Sequence, residues 1–251
     1  MGIIDFIKNK VNRNNTDGRG VDDSEYQDNY DYFTNSTCPN CQFQLKQVEK
    51  KGSCPSCKEA IVNERHFDSK KKMLLTVEQA EKLAIEKKHY HDLKWAIQLA
   101  EVLELSQREI SAMVKSTQVG TKFSVLWVKA NDMAIRYANN SKWLSFRNTR
   151  LSMGDIAYRD GHLERALGFY LAVCFIDLNG PDDEESFDLQ RASLRQSVLQ
   201  SIREITKELS IEKDALKDLY ISKSTPEKNR FMPLTPEETW DTFLSEYIKK
   251  Q

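Results

Sequence analysis

Breakers of regular structure are scarce in this sequence. Its six prolines fall at 39, 55, 181, 226, 233 and 236, so the span from Ser56 to Gly180 has none, and only nine glycines occur in 251 residues. A proline-free run of that length with few glycines favours helices. Long hydrophobic runs are missing too. No stretch approaches the roughly 18 consecutive apolar residues that cross a bilayer, and no apolar leader with a small-residue cleavage site opens the sequence. The chain is therefore read as cytoplasmic, with no transmembrane segment. Neither sign of charge dominates: 37 Lys and Arg against 38 Asp and Glu leave a net charge of −1, which argues against a polyanion-coating protein. Gly-rich phosphate loops, HExxH and GxSxG are absent, so no motif points to a reaction and none is expected.

What is present suffices for a folded core with polar ends, at 39% hydrophobic and 30% charged residues and a mean hydropathy of −0.62. The chain divides into four stretches. Residues 1–36 hold a short apolar stripe (Ile3, Ile4, Phe6, Ile7, Val11) followed by an aperiodic Asn-, Asp-, Gly- and Tyr-rich linker. Docking of that stripe on the protein's own core or on a partner is preferred to insertion at a membrane surface, and Phe6 stands where a myristoylation signal needs Ser or Thr. Residues 37–67 carry four of the five cysteines and short β-compatible runs such as Phe43 to Val48. Residues 68–222 show helical spacing, and 223–251 combine a polar linker with a final helix.

The sharpest chemistry lies in the second stretch. Cys38-Pro39-Asn40-Cys41 is followed, after twelve residues, by Cys54-Pro55-Ser56-Cys57. In a CPxC turn the proline fixes the backbone and the following amides point at the first thiolate, so two sulfurs converge at the spacing a tetrahedral ion prefers. Two such turns close a four-thiolate cage. A Cys38–Cys41 disulfide would instead be tight, strained and short-lived in a reducing cytosol. These residues resemble the zinc-ribbon family, with its rubredoxin-type knuckles joined by a β-hairpin. The resemblance implies Cys38, Cys41, Cys54 and Cys57 as ligands of one structural zinc, with iron the alternative metal, and Gly52 as the turn before the second knuckle. The sequence departs from the family at Gln42 and Lys58, where a glycine commonly follows each knuckle. With no open coordination site the metal is expected to hold the module together. Zinc ribbons also bind nucleic acid or protein, and Lys46, Lys50, Lys51 and Lys58 are the candidate phosphate contacts, although 37–67 holds only five basic residues against three acidic.

The third stretch reads first as two antiparallel helices joined near His89 to His91, with Met73, Val77, Ala80 and Ala84 on one and Leu93, Ile97, Ala100 and Leu103 on the other. Phe123 to Ala138 is dense enough in apolar residues to predict a helix buried on most sides. From Arg147 to Leu178, the order Met153-Gly154, Ala157-Tyr158, Asp160-Gly161, Ala166, Tyr170 resembles one tetratricopeptide repeat, which implies a helical hairpin and a protein-binding surface. An ordinary hairpin in an α bundle is the alternative. Asn179-Gly180-Pro181 stops it, and the acidic run Asp182 to Glu185 introduces one last long helix from Leu194 to Leu216. In the final stretch Thr235, Pro236 and Glu238 form a helix start for Trp240, Phe243, Leu244 and Tyr247, either a partner-binding ligand or a strap over the protein's own core.

Other reactive residues are thin. His89 and His91, flanking Tyr90 before Asp92, would not face each other on a helix. His66 and Asp68 leave the cysteine module, His162 occupies a turn, and Cys174 sits in an apolar helix as a buried thiol. The expected fold is therefore mainly α, a helical-hairpin array or bundle with a small N-terminal β zinc ribbon. The expected function is that of a non-enzymatic zinc-binding adaptor with a protein partner, the alternative being a nucleic-acid-associated regulator.

Overall fold

The computed structural model describes residues 37–45, 51–115, 119–184, 186–227 and 231–249. The stripe and linker of 1–36, together with Lys46, Lys50 and Glu185, lie outside them. Among the described residues the chain is mainly helical with one small antiparallel sheet near the N-terminus, as the sequence predicts. It divides into two compact units, 1–93 and 94–251.

The first unit is built on strands β1 (Lys51–Ser53), β2 (Ala60–Arg65) and β3 (Lys72–Thr76), in the order β1-β2-β3. β-Branched Ile61 and Val62 favour the extended backbone of β2, and alternation sends them to opposite faces. Ile61 joins Cys38, Leu45, Cys54 and Leu74 in a small buried cluster, while Val62 lies opposite Leu75 in the register and is also buried. The helical spacing read from Met73 onward is corrected here: Met73 pairs with Glu64 in the sheet. The helix starts three residues later, where Thr76 and Gln79 exchange backbone-to-side-chain hydrogen bonds of 3.0 and 3.2 Å in a capping box. Helix α1 then runs unbroken over Val77–Val102. The expected turn at His89 to His91 does not exist, because nothing in Lys87 to Asp92 breaks a helix. The chain turns at Leu103 to Ser106, with Glu104 at a φ of 57°, and Ser106 with Glu109 caps α2 (Gln107–Lys115).

The second unit continues with α3 (Val119–Asn139), α4 (Trp143–Arg159), α5 (Leu163–Leu178), α6 (Gln196–Glu208), α7 (Lys213–Ser224) and α8 (Pro236–Ile248). Beyond the exposed Glu164 and Arg165 of its first turn, helix α5 is apolar on all sides except for Asp177 and is buried from Tyr170 through Leu178, and α4, α6, α7 and α8 pack against it. Helices α4 and α5 approach closely because Gly154 has no side chain; a Cβ there would stand 2.8 Å from the Tyr170 ring. Helix α3 is less buried than expected, since Val128 and Ile135 are 60% and 53% exposed. The single long helix expected after Asp182 is two, α6 and α7, separated by a turn in which Ser210 takes a φ of 52°. Its acidic run caps a different helix. Asp183 accepts hydrogen bonds of 2.9 Å from both the amide and the hydroxyl of Ser145, in the first turn of α4, while Asp182 accepts from the Glu184 and Ser186 amides.

Most polar groups inside this unit are paired; among the described residues, Trp143 Nε1, Arg150 Nε and Ser224 Oγ are buried without a hydrogen-bond partner. Arg147, fully buried, donates to both Asp177 oxygens at 2.6 and 2.5 Å, joining α4 to α5. Asn179 accepts from the Leu234 amide at 2.8 Å, which fixes the approach to α8. The Thr235 and Glu238 capping box forms as expected. Trp240, Phe243 and Tyr247 are buried in this unit's core and Leu244 packs against it, so the side chains considered for a partner close the bundle themselves.

Two outcomes follow. At Gly180, φ is 67° and a Cβ would lie 1.8 Å from the Asp188 carbonyl oxygen, so Gly180→Ala should cost about 2–4 kcal/mol in urea unfolding. Asp177→Leu strands the Arg147 charge and should cost about 3–5 kcal/mol, whereas adding Arg147→Met should recover most of it; a double variant as unstable as the two single losses summed would contradict that coupling.

Candidate metal centre

Each CPxC segment folds into the same turn. The Cys38 amide donates to the Phe43 carbonyl at 2.9 Å and the Gln42 amide to the Cys38 carbonyl at 3.0 Å; the Cys54 amide donates to Glu59 and the Lys58 amide to Cys54, both at 2.9 Å. The flanking residues repeat as well, Thr37 bridging to Gln44 as Ser53 pairs with Ala60. Closing this turn requires a left-handed residue at its fifth position. Gln42 and Lys58, the two departures from the glycine pattern, supply it at φ 62° and 64°. Gly52, expected to make a turn, instead lies in β1 opposite Ile61.

The two turns face each other through their sulfurs. Cys38 Sγ lies 3.7 Å from Cys57 Sγ, Cys41 Sγ lies 3.6 Å from Cys54 Sγ, and all four atoms fall within 4.8 Å of one another. A tetrahedral ion bound to thiolates at about 2.3 Å separates its sulfurs by about 3.8 Å, so the set fits a single metal ion. All four thiols are free. Cys38 and Cys54 are buried, Cys57 is half-buried and Cys41 is exposed. The acidities of Cys41 and Cys57 move in opposite directions. A hydrogen bond from the Phe43 backbone, aided by the other thiols, draws Cys41 down to about 6 against its desolvation. The Glu59 backbone favours the Cys57 thiolate in the same way, but desolvation and the three neighbouring sulfurs push that thiol up to about 11. Of Cys41 and Cys57, one ionises readily and the other resists, a conflict between neighbouring thiols that a shared cation would relieve.

A third turn repeats the geometry without thiols. The His66 amide donates to the Lys71 carbonyl at 2.8 Å, the Lys70 amide returns to His66 at 3.0 Å, and Lys70 takes a φ of 58°. Here His66 Nδ1 stands in the first cysteine's place and accepts the amides of Asp68 and Ser69 at 3.3 and 3.2 Å. The HxxS spacing, His66 to Ser69, copies that of the two cysteine pairs, and reading it beside them would have exposed this turn.

The remaining candidates do not converge. Among the described residues the four cysteines are the one group that could hold a metal ion. His89 and His91 lie mid-helix on α1 and are exposed; His162 begins α5 beside Asp160 at 3.4 Å. Cys174 is fully buried, and burial raises its thiol far above the ordinary range. Of the four lysines considered for phosphate contact, Lys46 and Lys50 fall outside the described residues; Lys51 is exposed on β1, and Lys58 turns its ammonium to the Pro55 carbonyl at 3.1 Å.

Relief of the left-handed strain gives a prediction for this site. Gln42→Gly should stabilise the metal-bound turn by about 1 kcal/mol and slow metal transfer to a chelator, whereas Gln42→Val should hasten it. Equal transfer rates in the two variants would show that the fifth position carries no strain.

In comparisons with known proteins the chain matches no family model, no curated protein and no solved structure.

Proposed function

We propose that this chain is a non-enzymatic, cytoplasmic adaptor in which one structural zinc holds the N-terminal module and the helical unit carries a protein partner. The observation that bears the weight is the closure of the four-cysteine cluster. All four ligand positions belong to the protein, which leaves a bound ion no site for substrate or water, and catalytic zinc ordinarily keeps one. The first unit needs such a fastening. Its buried apolar cluster around the cysteines holds Leu45, Ile61 and Leu74, far less than a domain requires to fold on burial alone. Zinc is preferred to iron because its filled d shell makes no redox demand on a module whose role is structural.

The helical unit supports the second half of the reading. Its core is its own, and the crossing of Gly154 against Tyr170 resembles the close hairpin packing of a tetratricopeptide repeat. The absence of convergence among His89, His91, His162 and Cys174 gives no support to a reaction. Val128 and Ile135, exposed on one face of α3, are the apolar residues of this unit best placed to meet a partner.

Purified full-length protein should contain one zinc per chain by elemental analysis. Cys38→Ser should lose it while keeping most of its far-UV helical signal, since the helices of the second unit have a separate core. Collapse of that signal, or iron in place of zinc, would overturn the corresponding half of the proposal. Affinity capture from nuclease-treated lysate, repeated with Val128→Glu and Ile135→Glu, tests the partner half: a protein held by the native chain and released by both variants is the expected result.

A further inference from the structure

The β2–β3 hairpin ends in Arg65-His66-Phe67-Asp68-Ser69-Lys70-Lys71-Lys72, and α1 carries Lys87-Lys88-His89-Tyr90-His91. The first unit brings the two sequences together. The Phe67 ring lies 5.0 Å from that of Tyr90 and 4.5 Å from that of His66, and His91 stands edge-on to Tyr90 at 5.6 Å. Four rings thus form a continuous ladder, of which His66, Phe67 and Tyr90 are half-buried and His91 is exposed.

Basic residues flank these rings in sequence on both elements. Arg65, Lys70, Lys71, Lys72, Lys87 and Lys88 are all exposed. Lys70 turns its ammonium to the Phe67 carbonyl at 3.1 Å. Among the described residues, Arg65, Lys71, Lys72, Lys87 and Lys88 make no ion pair. Four carboxylates are close in sequence. Asp68 is engaged by the Tyr90 hydroxyl, Glu64 points to the opposite face of the sheet from Arg65, Glu86 precedes Tyr90 on α1, and Asp92 follows His91 on α1 as a buried side chain. Arg65 and Lys72 also face each other across the register, an arrangement of like charges that costs stability unless an anion lies over it.

We propose that this face binds single-stranded nucleic acid, with phosphates on Arg65, Lys71, Lys72 and Lys87 and bases stacked on the ladder of His66, Phe67 and Tyr90. Charge alone admits any polyanion. The rings select one with flat π faces, and only unpaired bases can be laid on them. The site is distinct from the knuckle lysines Lys51 and Lys58 and does not rest on the adaptor reading.

Fluorescence anisotropy of the full-length, zinc-supplied protein with a labelled 12-nucleotide single strand tests it. Binding at 50 mM salt should weaken steeply toward 200 mM, with a logarithmic slope near −0.7 for each phosphate neutralised. Lys71→Glu with Lys72→Glu should cost at least tenfold, and Phe67→Leu, which keeps the apolar contact with Tyr90 but removes the stacking ring, several-fold. Lys51→Glu with Lys58→Glu should cost less than threefold. Retention of zinc and of far-UV signal in each variant separates lost contact from lost fold, and Lys71→Gln with Lys72→Gln, which keeps the hairpin neutral, should give an intermediate loss. Absence of binding at 50 mM salt, indifference to the Lys71 and Lys72 changes, or equal affinity for a duplex or for polyglutamate would each overturn the proposal.

Discussion

Four sulfurs within 4.8 Å of one another set the condition on which the first unit stands. As thiolates they repel, and as thiols they offer only weak hydrogen bonds, so neither state by itself holds the two turns face to face. A divalent cation would resolve the conflict by making all four ligands attractive to one centre. The consequence reaches beyond the turns. Cys38 and Cys54 are themselves members of the buried cluster with Leu45, Ile61 and Leu74, so the ligands and the core are one structure. Through Ile61 and Leu74 that cluster reaches β2 and β3, and with them the hairpin whose tip presents the basic and aromatic residues.

The second unit answers to a different constraint. A helix without a polar side must be covered all round, and α5 recruits α4, α6, α7 and α8 to do so. Complete cover then makes each polar group on α5 a debt to be met locally. Asp177 is met by Arg147, and Asn179 by the amide of Leu234. The second of these draws in the C-terminal segment, after which Tyr220 with Thr239 and Tyr247 with Thr206 share hydrogen bonds of 2.9 Å that set the register of α8. The strap is thus positioned by polar pairs and stabilised by Trp240 and Phe243.

Much of this was legible in the residues. The cysteine spacing gave the cluster, the Thr235 to Glu238 box gave the start of α8, and Asn179-Gly180 gave the end of α5, each because a local rule decides the local structure. The features that local patterns do not announce as directly fall into two kinds. Thr76 with Gln79 and Ser106 with Glu109 are capping boxes as plain as that of α8, and reading them would have placed β3 and kept α1 whole. The role of Asp183 could not be read in the same way. It caps α4 from 38 residues away, and a pattern confined to neighbours in sequence assigns an acidic run to the helix that follows it. Likewise α3 is less buried than its density of apolar residues predicts, because periodicity identifies a helix without saying how much of its circumference is covered.

The recurrence of one turn three times joins these observations. Cys38 to Phe43, Cys54 to Glu59 and His66 to Lys71 each close with the same pair of backbone bonds and each place a residue other than glycine in the left-handed region at the fifth position. Such residues cost roughly 1–2 kcal/mol each, and none of the three is Asn or Asp, which tolerate the conformation best. In the first two turns metal–thiolate bonds can offset that cost. In the third the offset available is the pair of amides on His66 Nδ1, together with the packing of Phe67 on Tyr90. That turn also carries like charges across its base at Arg65 and Lys72. Of the three it is therefore the one with the least internal compensation, and the one whose stability gains most from a negatively charged ligand laid across it.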